Sequence, residues 1–201
     1  MSKIISLWGL LFYLTGYAQN IVPNYSFELY DTCPYAYAQI HFASPWFQHN
    51  LCCGPGGSTE YYNSCNGNAI GPNTPKNGTG FQVPKTGNAY AGIGVYSGNP
   101  SGTYGREYIE VQLNDSLVFG KKYCVSFYVS LANNSVYAID KLGVYFSNSP
   151  ITNNDNNWTN LPVIPQVENP DGNIIQDTLN WISISGAFVA GGGKIHYNWK
   201  F

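Results

Sequence analysis

Apolar and polar residues alternate with period two through much of this chain. From Asn88 to Tyr96, Ala89, Ala91, Ile93 and Val95 point one way; Asn88, Tyr90, Gly92, Gly94 and Tyr96 point the other. Over 107–113, Ile109, Val111 and Leu113 form an apolar face opposite Tyr108, Glu110 and Gln112. Over 123–131, Val125, Phe127, Val129 and Leu131 face one side, and Ser126, Tyr128 and Ser130 the other. Val144 and Phe146 repeat the pattern against Tyr145. Period two marks strands with one face buried. Strands are therefore predicted over 20–28, 88–96, 106–113, 122–132, 142–147 and 181–190, with a further one over 194–201. No stretch shows a useful helical period, and no internal repeat stands out.

The expected architecture is all-β: a two-sheet antiparallel β-sandwich. One aliphatic face of each strand fills the core, and outer faces carry tyrosine, serine and amides. Asn- and Pro-rich connections lie at 97–104 and 148–172. Residues 29–80 are loop-rich, with Pro34, Pro45, Pro55, Pro72, Pro75 and the Cys-Cys-Gly-Pro-Gly-Gly run at 52–57. Their aromatics and cysteines argue against disorder, so an ordered, disulfide-held N-terminal loop region is expected.

Residues 1–18 read as a secretory signal. Lys3 supplies a positive start, Ile4 to Tyr17 are mostly apolar, and Gly16 and Ala18 place cleavage before Gln19. An uncleaved anchor helix is the alternative. No other apolar run approaches the roughly 18 residues of a membrane span. Residues 19–201 then make a single domain in an exported, extracellular, cell-surface or periplasmic protein. The 201-residue chain has 9 basic and 11 acidic residues and a net charge of −2. No basic cluster exists, which argues against nucleic acid or an anionic membrane as partner.

Of the cysteines, Cys124 sits in an apolar strand and is expected to be the buried free thiol. Cys33–Cys65 is the preferred bridge, closing the irregular region. The adjacent Cys52 and Cys53 either form a vicinal disulfide or compete for Cys33 or Cys65. Zinc is disfavoured, because paired C-x-x-C spacing and nearby histidines are missing.

Glu107 and Glu110 lie three apart on a strand, so they face opposite sides and cannot flank one glycosidic bond. Asp140 and Glu168 are too far apart in sequence to judge. His41, His49 and His196 sit in no catalytic motif. No catalytic residue is therefore assigned. Glycan recognition needs flat rings for stacking and polar groups for hydroxyls. Tyr90, Tyr108, Tyr128 and Tyr145 supply the rings, and Asn88, Glu110 and Gln112 the polar partners. Trp46, Tyr61 and Tyr62 would form a rim. Alternatively, loop 29–80 covers these tyrosines and makes them a second small core. Arg106 is assigned a structural role, paired with an acid such as Asp140.

Several strings carry a family resemblance: Ile-Val-Pro-Asn-Tyr-Ser-Phe-Glu (21–28), Ser-Pro-Trp-Phe (44–47), Tyr-Tyr-Asn-Ser-Cys (61–65), Gly-Asn-Ala-Tyr-Ala-Gly (87–92), Arg-Glu-Tyr-Ile (106–109), the 120–131 strand and Ala-Ile-Asp (138–140). The chain resembles the N-terminal domain of secreted surface proteins of flavobacterial-type bacteria, similar to galactose-binding-like and carbohydrate-binding jelly rolls. In that group it often precedes an outer-membrane-protein-A-like or sorting domain, neither of which is seen here. The resemblance implies a jelly roll, no catalytic cofactor and a structural calcium held in part by Glu28. The tail 194–201 departs from the group, and a one-nucleotide frameshift in an A-rich tract would explain it. The domain would then lack its native final strand. A true strand is the alternative, since Ile195, Tyr197, Trp199 and Phe201 alternate with polar residues. The expected function is a non-catalytic secreted or cell-surface module for a neutral glycan. The alternatives are a structural cell-envelope domain and, third, a glycan-active enzyme.

Overall fold

The computed structural model describes residues 19–48, 58–68, 70–96, 106–151 and 161–191, together with the backbone of 196–200. The expected leader 1–18, Cys52, Cys53 and His49 lie outside the described residues. Among the described residues, regular secondary structure is almost entirely strand, in small antiparallel sheets, with short 3-10 turns at Ile40–Phe42 and Ser64–Asn66.

Four ladders form. Strand β1 (Glu60–Asn63) pairs with β4 (Ala89–Gly92), placing Glu60 opposite Gly92 and Tyr62 opposite Tyr90. Between them in sequence, β2 (Lys76–Asn77) and β3 (Gly80–Phe81) make a minimal hairpin. A four-stranded sheet runs β5–β10–β7–β8, built from β5 (Glu110–Gln112), β7 (Gly143–Ser147), β8 (Val167–Glu168) and β10 (His196–Lys200). The longest ladder joins β6 (Lys122–Val129) to β9 (Ile182–Val189), from Lys122 opposite Val189 to Val129 opposite Ile182. The Phe146 and Phe188 rings stack at 4.5 Å and bind this ribbon to the four-stranded sheet. Gly186 permits the same approach: a Cβ there would stand 2.9 Å from a Val167 methyl.

The predicted strands at 88–96, 106–113, 122–132, 142–147 and 181–190 all appear, most of them trimmed at the ends. The aliphatic face is the core: Val111 and Val144 are fully buried, and Ile109, Leu113, Phe127 and Phe146 nearly so. Residues 196–200 lie as a strand between β5 and β7.

Residues 20–28 are not a strand. They turn at Asn24 and Phe27, whose φ angles are 43° and 61°. Asn24 holds the turn: its Nδ2 donates to the carbonyls of Leu29, Ala43 and Ser44 at 2.7, 3.1 and 2.9 Å, and its Oδ1 accepts from Leu29 N at 2.9 Å. Trp46 Nε1 donates to Asn24 O at 2.8 Å, and the Trp46 and Phe27 rings meet at 4.9 Å. Asparagine tolerates the left-handed region and bonds local backbone with its side chain, so it competes successfully with a ladder.

The Cys33–Cys65 bridge is present. Asn63 prepares it: its Oδ1 accepts from Cys65 N at 2.9 Å and starts the short turn that presents Cys65. Such a bridge suits an oxidising compartment. Cys124 is a free thiol but is exposed, not buried. The reason is strand parity. With Phe127 inward, position 124 shares the outer face with Ser126 and Tyr128. Among the described residues, no helix is long and apolar enough to cross a membrane.

Candidate functional site

Strand parity places Glu60 and Tyr62 on one face of β1, opposite Gly92 and Tyr90 of β4. The Tyr62 and Tyr90 rings lie 5.1 Å apart. Gly92 is required here, because a Cβ would come within 2.6 Å of Tyr62 Cε2. The β2–β3 hairpin closes over these rings. Asn77 Nδ2 donates to Tyr90 Oη at 2.8 Å, and Asn77 Oδ1 accepts from Thr79 N at 3.0 Å and from Thr79 Oγ1 at 2.7 Å. Thr79 Oγ1 in turn bonds Tyr62 Oη at 3.2 Å.

Trp181, just before β9, meets Tyr90 edge-on at 5.6 Å and donates Nε1–H to Val83 O at 2.7 Å. Beyond β6, Ser130 donates to Gln82 Oε1 at 2.9 Å, and Asn133 Oδ1 accepts from Phe81 N at 2.6 Å. Tyr96 and Tyr137 pair edge-on at 4.9 Å. Together these groups enclose a cavity of about 500 Å³, whose wall includes Tyr62, Tyr90, Tyr128 and Trp181. That volume falls within the roughly 300–1,000 Å³ of small-ligand sites.

Two carboxylates enter the same wall, Glu60 and Glu107. Glu60 Oε2 accepts from Ala38 N at 2.7 Å, and Glu107 Oε2 accepts from Gly94 N at 2.6 Å, while Glu107 Oε1 accepts from Ser58 Oγ. Burial pushes the Glu60 carboxyl up to about 7, partly offset by the Ala38 N–H and reinforced by the negative charge of Glu107. Burial also raises Glu107, against its two donors. The same cause lifts Tyr62 above the usual phenol range and Tyr90 to about 12, so both stay neutral in ordinary buffers.

Of the residues expected to hold a ligand, Tyr90 and Tyr128 line this cavity. Tyr108, Glu110 and Trp46 do not form an open face. They are 6 %, 3 % and 2 % exposed. The face of Tyr108 and Glu110 is covered and the strand edge is paired: Phe47 and Glu110 exchange backbone bonds laterally, and Leu161 N donates to Tyr108 Oη at 3.2 Å. Ile151 N donates to Glu110 Oε2 at 3.2 Å, and burial raises that carboxyl to about 7. Gln112 is exposed and Tyr145 half-buried, both away from the cavity wall. Asp140 accepts from Gly172 N at 2.7 Å and so ties residues around 140 to the distant turn at 171–172.

Glu28 lies against the Gly87 turn, where its Oε1 accepts from Asn88 N at 2.8 Å and Ala89 N at 3.1 Å. Amide hydrogens therefore surround the oxygen that calcium would need. Among the described residues no group of three or more His, Cys, Asp and Glu could hold a metal ion. Glu28 Oε1 is committed to the Gly87 turn.

The sequence reading missed Glu60, Tyr137 and Trp181. The alternation of Glu60 and Tyr62 with Tyr61 and Asn63 was a usable signal for Glu60. For Trp181 nothing local was available, since its partners come from distant strands. No family model matches the chain, and no curated protein or solved structure matches it.

Proposed function

We propose that this chain is an exported or cell-surface, non-catalytic binding module of jelly-roll type that takes a non-anionic glycan in the ring-lined cavity. The observation carrying this reading is the convergence of Tyr90, Tyr128 and Trp181 with the amides of Gln82 and Asn133 around about 500 Å³. Rings offer stacking to the apolar face of a pyranose, and amides match its hydroxyls. Glu60 and Glu107 in the wall disfavour an anionic polymer, as does the scarcity of basic residues.

A glycan array followed by calorimetry on the whole chain tests the reading. Binding of at least one uncharged or amino glycan is expected, with Trp181→Ala weakening it. A folded protein that binds none would sink it. The second reading, a structural envelope domain without a soluble ligand, draws on the burial of Trp46 and Tyr108, two rings already consumed by packing.

A further inference from the structure

We infer that the ligand of this cavity is cationic: a glycan bearing a free amino group, with Glu60 and Glu107 as its counter-ions. The inference rests on the glycan reading above and narrows it. Among the described residues lining the cavity there are two carboxylates and no lysine, arginine or histidine. The donors that reach the carboxylates are neutral: backbone N–H groups of Ala38 and Gly94, and the Ser58 hydroxyl. Two carboxylates desolvated together without a countercharge are unfavourable, and a cation placed between them relieves that cost. Burial raises the proton affinity of both carboxyls, the same desolvation cost seen from the side of the proton.

The rings point the same way. The faces of tyrosine and tryptophan attract ammonium groups, and the wall already uses one so: Lys85 Nζ sits 4.4 Å from the centre of the Tyr128 ring. An amino sugar joins an apolar face for stacking to an ammonium for the carboxylates. A neutral sugar uses only the first. The remaining titratable groups among the described lining residues are tyrosines; Lys76 of β2, Lys122 and Cys124 of β6, Lys85 beside Tyr128 and Arg106 next to Glu107 are on the packed segments but are not part of the lining. Tyr62 and Tyr90 stay protonated, with Tyr37 close to Tyr62, and Tyr96, Tyr128 and Tyr137 complete the wall. Among the described lining residues, no other charged group answers the carboxylates.

Calorimetry should compare a glucosamine oligosaccharide with its fully N-acetylated counterpart of equal length, on the unmodified chain at pH 7. The free amine should bind about tenfold more tightly or better, the scale of a desolvated ammonium on rings and carboxylates. Its affinity should fall as pH drops below about 7, where Glu60 takes up a proton. It should fall again at alkaline pH as the sugar loses its own. Glu60→Gln and Glu107→Gln should each erode the preference for the amine. If either variant fails to fold, the comparison of the two oligosaccharides on the unmodified chain still decides. Equal or tighter binding of the acetylated form overturns the inference and leaves the glycan reading standing. Failure of both these and every other glycan overturns both.

Discussion

Tyr90 meets Trp181 edge to face, with 5.6 Å between ring centres, although one sits on β4 and the other just before β9. The pair ties the β1–β4 ladder to the β6–β9 ribbon at the cavity wall. Trp181→Ala should weaken glycan binding by about tenfold through lost ring contact. Tyr90→Phe keeps the ring and loses the Asn77 hydrogen bond, which should cost about 1 kcal/mol of stability. Calorimetry and urea unfolding on both variants separate the two effects.

Phe127 and Tyr128 are neighbours with opposite fates. Phe127 is 6 % exposed and Tyr128 is 46 % exposed. Phe127→Ala should cost about 3–5 kcal/mol. Tyr128→Ala should cost less than about 1 kcal/mol in stability, and should instead reduce ligand affinity. Equal losses in denaturant unfolding would mean that the outer face of β6 is packed.

Asn24 is the centre of the first turn. Replacing it with alanine removes its side-chain bonds to Leu29, Ala43 and Ser44 and leaves a positive φ without a suitable residue. A loss of about 2 kcal/mol or more in thermal unfolding is expected. A neutral result would favour an extended strand over 20–28.

The carboxyls of Glu60 and Glu110 are raised from 4.5 to about 7 by burial. The folded state therefore holds these protons more tightly than the unfolded chain. Their favourable contribution is complete below pH 4.5 and is lost as pH rises to about 7. Asp140 and Asp177 have lowered pKa values and act only at more acidic pH. Melting temperature should accordingly be higher at pH 5 than at pH 8, and Glu110→Gln should narrow the gap. A flat profile between those values would contradict the burial of both groups.

Much of the strand framework was legible in advance, because period-two alternation depends only on local geometry. Val111, Val144 and Phe127 are core residues for the reason the pattern implies. The same parity, applied strictly, also puts Cys124 outside. An apolar neighbourhood in sequence was the misleading cue there. The turn at 24–27 was not legible, since Asn-Tyr-Ser-Phe-Glu is compatible with a strand until the carbonyls of Ala43 and Ser44 arrive to hold Asn24.

By itself, the sequence determined that the chain is built of strands and which side of most strands is aliphatic; it favoured the Cys33–Cys65 bridge but left Cys52 and Cys53 as rival partners. Only the tertiary structure decided what lies on the other side. Alternation assigns a residue to a face but carries no information about what covers that face. Tyr108 and Glu110 were covered by residues around Phe47, Ile151 and Leu161, while Tyr90 was left on a cavity wall. Glu60 and Glu107 belong to different segments, and each forms its own hydrogen bonds. Their mutual repulsion exists only because folding brings Glu60 of β1 and Glu107 to the same desolvated wall.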